Sequence, residues 1–182
     1  YRLSFSVDDV VNDYSVATPL GVNLVVMGTV RSMGSGCTCP ANAVIRALLR
    51  HLVVERDEAV VLDMEAGVEH IGRATAQHVD VMLIVVNANM KSLETAKHIH
   101  DLSTKANLKQ LFLVGNKIED LKQKETVEEV AGANSLKILD IVPFDRKVVD
   151  AEMLGKTPLR YKECAALHAI EGIAEKLMAN AA

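Results

Sequence analysis

The stretch Val81-Met82-Leu83-Ile84-Val85-Val86 runs six apolar residues without a polar one; a helical pattern at Ser92–Ala106 and a second mainly apolar run at Gln110–Val114 follow. A strand with one wet face alternates apolar and polar residues at period two. A run that does not alternate is a strand buried on both faces, as in a parallel sheet whose crossover helices cover it. Outward from this core, similar runs stand at Asn23–Met27, Ala59–Asp63 and Leu136–Val142. Helical patterns lie between them. Pro40–Glu55 opens with Pro in a first turn and sets Ala43, Ala47, Leu48 and Leu52 on one face. Ser92–Ala106 starts at a Ser suited to N-capping. Asp120–Ala131 follows, then Lys147–Leu154, closed by Gly155. A last helix at Tyr161–Asn180 turns Ala166, Ile170, Ile173 and Leu177 inward. In Tyr1–Gly21, Leu3, Phe5 and Val7 alternate like a strand and the rest reads as a loop. The expected fold is α/β: a mostly parallel, doubly wound sheet with helices on both faces and ligands at the carboxyl ends of its strands. Residues 1–182 are expected to form one domain.

Composition narrows the function. With 24 acidic and 20 basic residues the net charge is −4, and no Lys/Arg block stands out, which argues against a general nucleic-acid binder. Three Tyr, three Phe and no Trp offer little for base-stacking platforms. Apolar runs of about six residues fall far short of the roughly 20 needed to span a bilayer, so no membrane role is expected. Three Cys do not make a disulfide framework and suit a reducing, cytoplasmic setting.

Three stretches carry chemistry. In Val60-Val61-Leu62-Asp63-Met64-Glu65-Ala66-Gly67, an apolar run ends in Asp with Gly four residues on. Nucleotide hydrolases use that arrangement: the carboxylate orders the Mg²⁺ shell and the Gly N–H approaches a γ-phosphate. A strand ending in an ordinary turn has the same composition. In Leu111-Phe112-Leu113-Val114-Gly115-Asn116-Lys117, the Asn amide suits a purine edge and the Lys stem can cover the ring. Pro143 and Asp145, at the end of the next run, are placed to flank the same base. Asn and Pro also mark strand ends routinely.

The third stretch is Gly34-Ser35-Gly36-Cys37-Thr38-Cys39-Pro40, in which Cys37 and Cys39 stand at the start of a helical pattern. A helix start favours thiolate, and two thiolates are half of a tetrahedral four-Cys set. Cys164 sits apart among Ala residues, so a two-fold dimer supplying Cys37 and Cys39 twice is the economical way to complete the set. Two small residues in a loop are the plainer alternative. The His residues do not make a site: His98 and His100 are two apart and on different helix faces, and His51, His70, His78 and His168 stand on separate stretches. Glu65 and Glu69 read as a polar surface.

The string Asp63-Met64-Glu65-Ala66-Gly67-Val68-Glu69-His70-Ile71-Gly72-Arg73-Ala74-Thr75-Ala76 is more specific than its spacing. With Gly36-Cys37-Thr38-Cys39-Pro40 before it, and Ser92-Leu93-Glu94-Thr95-Ala96 and Val114-Gly115-Asn116-Lys117 after it, it resembles the carbon monoxide dehydrogenase accessory ATPases of the CooC type. These lie in the MinD/ParA-like branch of P-loop NTPases, which also holds the nitrogenase iron protein. Pro143-Phe144-Asp145-Arg146, Ala151, Gly155 and Pro158-Leu159 resemble the same branch.

The resemblance implies an ATP-dependent homodimer that helps insert nickel into the active-site cluster of carbon monoxide dehydrogenase. By matching position, Asp63 would order Mg²⁺ and Gly67 would sense the γ-phosphate. Asn116, Lys117, Pro143 and Asp145 would surround adenine in ATP or ADP. Cys37 and Cys39 would hold Zn²⁺ or Ni²⁺ between subunits. A MinD/ParA-like positioning ATPase and an iron–sulfur electron-transfer dimer of the nitrogenase iron protein type are the alternatives. No Gly-x4-Gly-Lys-[Ser/Thr] occurs in the 182 residues. This leads us to expect an N-terminally incomplete form of the domain, which by itself does not hydrolyse ATP.

Overall fold

The computed structural model describes residues 13–26, 59–64, 79–105, 108 and 110–181. Two units divide the chain, Tyr1–Glu65 and Ala66–Ala182.

In the first unit, β1 (Ser15–Ala17) pairs antiparallel with β2 (Asn23–Val25), Val16 opposite Leu24. The connection is Thr18-Pro19-Leu20-Gly21-Val22. Pro presets the first turn dihedral, and the Gly21 N–H donates to the Thr18 carbonyl at 3.0 Å. Gly21 then takes φ +78°, which a side chain would resist. The strand expected at Asn23–Met27 is thus shorter and belongs to a hairpin, not to the parallel sheet. Its partner Ser15–Ala17 lies in a stretch that reads as a loop. The strand expected at Ala59–Asp63 does not form: residues 59–64 have no ladder partner among the described residues, and Val61 is 92% exposed. An apolar run becomes a strand only where a neighbour takes its backbone groups. The expectations at Leu3, Phe5 and Val7 and at Pro40–Glu55 lie outside the described residues.

The second unit is the α/β layer. Its elements run β3 (Met82–Val86), α1 (Met90–Lys105), β4 (Leu111–Ile118), α2 (Leu121–Ala133), β5 (Ile138–Pro143), α3 (Arg146–Met153), a 3-10 turn at Pro158–Arg160 and α4 (Ala165–Ala181). The sheet order is β3-β4-β5, and both pairings are parallel. Successive residues of β4 point to opposite faces, and both are covered. Leu113, with Ile84 and Val86, packs on Leu93 and Ala96 of α1 and Val127 and Ala131 of α2. Val114, with Val142, packs on Cys164 and on Ala166 and Ile173 of α4. That double burial is why Leu111–Val114 of β4 carries no polar alternation.

The helix ends follow from local chemistry. Asp120 caps α2, its Oδ1 accepting the Gln123 N–H at 2.7 Å. α1 is capped by Asn89, whose Oδ1 accepts the Ser92 N–H at 2.9 Å. Ser92 is therefore not the cap; its hydroxyl reaches back to the Asn87 N–H at 3.1 Å. Both α2 and α3 close in Schellman turns, with Leu136 N–H to the Ala131 carbonyl and Lys156 N–H to the Ala151 carbonyl. Gly155 serves the second at φ +61°, but Ser135 serves the first at φ 55°. In α4, Ile170 is 50% exposed and Ala169 packs inward instead, because the stripe steps 166, 169, 173, 177.

Two irregularities shape the β4–β5 pairing. Leu113 pairs with Ile138 and Val114 with Asp140, so Leu139 is an extra residue. This bulge lets Leu139 and Asp140 both meet the α4 side: Leu139 joins that core and Asp140 Oδ2 accepts from Lys176 Nζ at 2.6 Å. Toward the carboxyl end, Gly115 pairs with Ile141 and Ile118 with Pro143, three steps against two.

Candidate functional site at the carboxyl ends of two strands

β4 extends to Ile118, four residues past the expected end at Val114. The extension absorbs its surplus residue through Lys117, which sits in the left-handed region at φ 55°. A long side chain there costs about 1 kcal/mol, a strain that tends to persist where geometry serves a site. Gly115 precedes it, buried, where a Cβ would stand 2.6 Å from Ile141 Cδ1. Asn116 is half-buried and Lys117 exposed. On the neighbouring strand Pro143 pairs with Ile118, and the Phe144 N–H donates to the Ile118 carbonyl at 2.9 Å. Asn116, Lys117, Pro143 and Asp145 are thereby brought to one end of adjacent strands.

Their chemistry differs. Asn116 offers an amide donor and acceptor, Lys117 an exposed cation on an apolar stem, and Pro143 an apolar ring. Phe144, 39% exposed beside them, adds an aromatic face that the residue pattern alone did not single out. Asp145 is half-buried and occupied. Its Oδ1 accepts the Lys147 N–H at 2.9 Å, capping α3, and its Oδ2 accepts the Ala165 N–H at 2.8 Å at the start of α4. The Lys147 N–H, the Cys164 thiol, the Ala165 N–H and the Lys147 charge hold the Asp145 carboxyl below its ordinary range, with burial opposing them. Ala165 lies 20 residues from Asp145, so no local pattern pointed to this contact.

The N-termini of α2 and α3 are both filled by the chain's own carboxylates, Asp120 and Asp145. Free helix N-termini attract phosphate. These two are satisfied, so the strand tips suit the uncharged part of a ligand better than its anionic part.

Asp63 lies in the first unit and is exposed. Gly67, Cys37 and Cys39 lie outside the described residues. Among the described residues no group of three or more His, Cys, Asp or Glu could hold a metal ion. No helix among them is long and apolar enough to cross a membrane. Cys164 is buried and makes no disulfide.

No protein-family model matches the chain. An uncharacterized ATP-binding protein of Methanocaldococcus jannaschii is 42% identical over 158 residues, covering 86% of this chain and 60% of that protein. The carbon monoxide dehydrogenase accessory protein CooC of Rhodospirillum rubrum is 37% identical over 155 residues, covering 85% of this chain and 58% of CooC. The chain thus spans about three fifths of the length of these relatives. Among solved structures, a ParA family ATPase from Chlorobium tepidum superposes with a TM-score of 0.69 at 15% identity, covering 89% of this chain and 66% of that one. At that identity the likeness speaks for the fold. The chain is a homologue of ATP-binding proteins, CooC among them, and it has the α/β fold of the MinD/ParA-like P-loop NTPases.

Proposed function

We propose that this chain belongs to an ATP-dependent accessory protein that serves nickel insertion into the active-site cluster of carbon monoxide dehydrogenase. The observation that carries this reading is the 37% identity to CooC, a protein named for that enzyme. The β4 and β5 tips fit the base of a nucleotide: Asn116 offers complementary hydrogen bonds, and the Lys117 stem and Pro143 offer apolar cover. Asp63, an exposed carboxylate, would order Mg²⁺ water, and Gly67 would sense the γ-phosphate. Bound ATP would supply the free energy that drives closure of a homodimer. Within the dimer, Cys37 and Cys39 of both subunits would hold Zn²⁺ or Ni²⁺ through four thiolates. The 182 residues hold no Gly-x4-Gly-Lys-[Ser/Thr].

The test is activation of nickel-free carbon monoxide dehydrogenase by the complete gene product with Ni²⁺. Activation that requires both Mg·ATP and the Cys37/Cys39 pair supports the reading. Equal activation by Cys37→Ser/Cys39→Ser, or without ATP, contradicts it.

A further inference from the structure

We propose that Asp145 is a positioning residue of the base site: it clasps the N-terminus of α3 to that of α4 and shapes the strand tips through the backbone, without touching the base. This inference rests on the base-binding reading above. Its foundation is where the carboxylate points. One oxygen takes the Lys147 N–H at 2.9 Å and the other takes the Ala165 N–H at 2.8 Å, across 20 residues of chain. The same seam carries one more link. Lys147 Nζ donates to the Glu163 carbonyl, and Cys164, the residue between Glu163 and Ala165, is fully buried. One residue before Asp145, the Phe144 N–H is tied to Ile118, the residue after left-handed Lys117. A short covalent and hydrogen-bonded path therefore runs from the start of α4 to Asn116 and Lys117.

Ala165 makes this path testable. The Cys164 carbonyl accepts the His168 N–H at 3.1 Å, so Ala165 is the first residue inside α4. Its N–H has no acceptor within the helix. Ala165→Pro removes that donor at a position where Pro suits a helix, and it leaves Asp145 unchanged. A base contact made by Asp145 itself would survive the substitution, whereas a clasp would not.

The experiment is ADP titration of the complete gene product and its Ala165→Pro variant, with hydrogen exchange of the wild-type Ala165 amide read with and without ADP. The clasp predicts affinity weaker by about fivefold or more in the variant, the low end of ordinary site-to-site coupling. It also predicts slower Ala165 exchange when ADP is bound, since coupling is reciprocal. Should Ala165→Pro unfold, the wild-type exchange measurement decides alone. Unchanged affinity in a folded variant, or ADP-independent exchange of Ala165, overturns the clasp while leaving the base site standing. Failure of the wild type to bind ADP overturns both.

Discussion

Gly115 lies so close to Ile141 that a Cβ added to it would stand 2.6 Å from the Ile141 Cδ1 atom, well inside van der Waals contact. The two residues pair across β4 and β5, three and two residues before the strand ends at Ile118 and Pro143, so their fit bears on how closely the site-bearing strands approach.

Gly115→Ala should therefore push the Ile141 Cδ1 end aside and destabilise the fold by up to about 1 kcal/mol, since that atom is the far end of a flexible side chain. Ile141→Val removes the offending methyl. In urea unfolding the double variant should lose less than the sum of the singles, because the residues touch. Strict additivity would show that the contact does not govern the spacing.

Lys117→Gly should separate stability from binding. Glycine accepts φ 55° freely, which offsets its larger unfolded-state entropy, so stability should hold or rise by up to about 1 kcal/mol. Nucleotide affinity should fall, because the stem that covers the base is gone. Paired denaturation and binding curves check this. A variant both less stable and equally tight in binding would contradict it.

Acid should loosen the α4 side first. Asp140 is held below its ordinary value of 3.8 chiefly by the Lys176 hydrogen bond, with the Ile141 N–H assisting and burial opposing. Asp145 is held low by the Lys147 N–H and Cys164. A carboxyl depressed in the folded state adds stability above its unfolded pKa, and that stability is lost as pH falls through the lower folded value. The window therefore lies at about pH 4 and below. Lys176 is half exposed, so the Asp140 share is at most about 1 kcal/mol. Asp140→Asn should flatten the acid limb of a stability–pH profile and leave the profile between pH 6 and 8 parallel to wild type. An unchanged acid limb would exclude the pair.

Metal should bind at one ion per two chains if Cys37 and Cys39 form a shared four-thiolate site. Affinity should fall with pH, because protons compete for the thiolates. Native mass analysis during Zn²⁺ titration reads the stoichiometry directly. One ion per monomer, or binding retained by Cys37→Ser/Cys39→Ser, would put the metal elsewhere.

The parts legible in the sequence were those set by local physics. β4 announced itself because burial on both faces removes polar alternation, β3 and β5 through their apolar runs, and Asp120 and Gly155 marked helix ends through backbone hydrogen bonding. What escaped depended on partners. Ala59–Asp63 has the composition of a strand, but its backbone finds no ladder among the described residues. Gly115-Asn116-Lys117 looks like a turn, yet the left-handed Lys117 keeps β4 paired to Ile118. Pro19 and Gly21 carry the signature of a hairpin turn. In the candidate site, the placement of Asn116, Lys117 and Pro143 toward one end of neighbouring strands was legible from the strand runs. The grip of Asp145 on Ala165 could not, because only the packing of α4 brings them together.

A nucleotide base seated at the tips of β4 and β5 can be read out by calorimetric titration of Mg·ADP into the complete gene product. Wild type should bind, and Asn116→Ala should lose at least about tenfold in affinity, the scale of one buried hydrogen-bonding group left unpaired. Equal affinity in wild type and Asn116→Ala, or no binding by wild type, would contradict it.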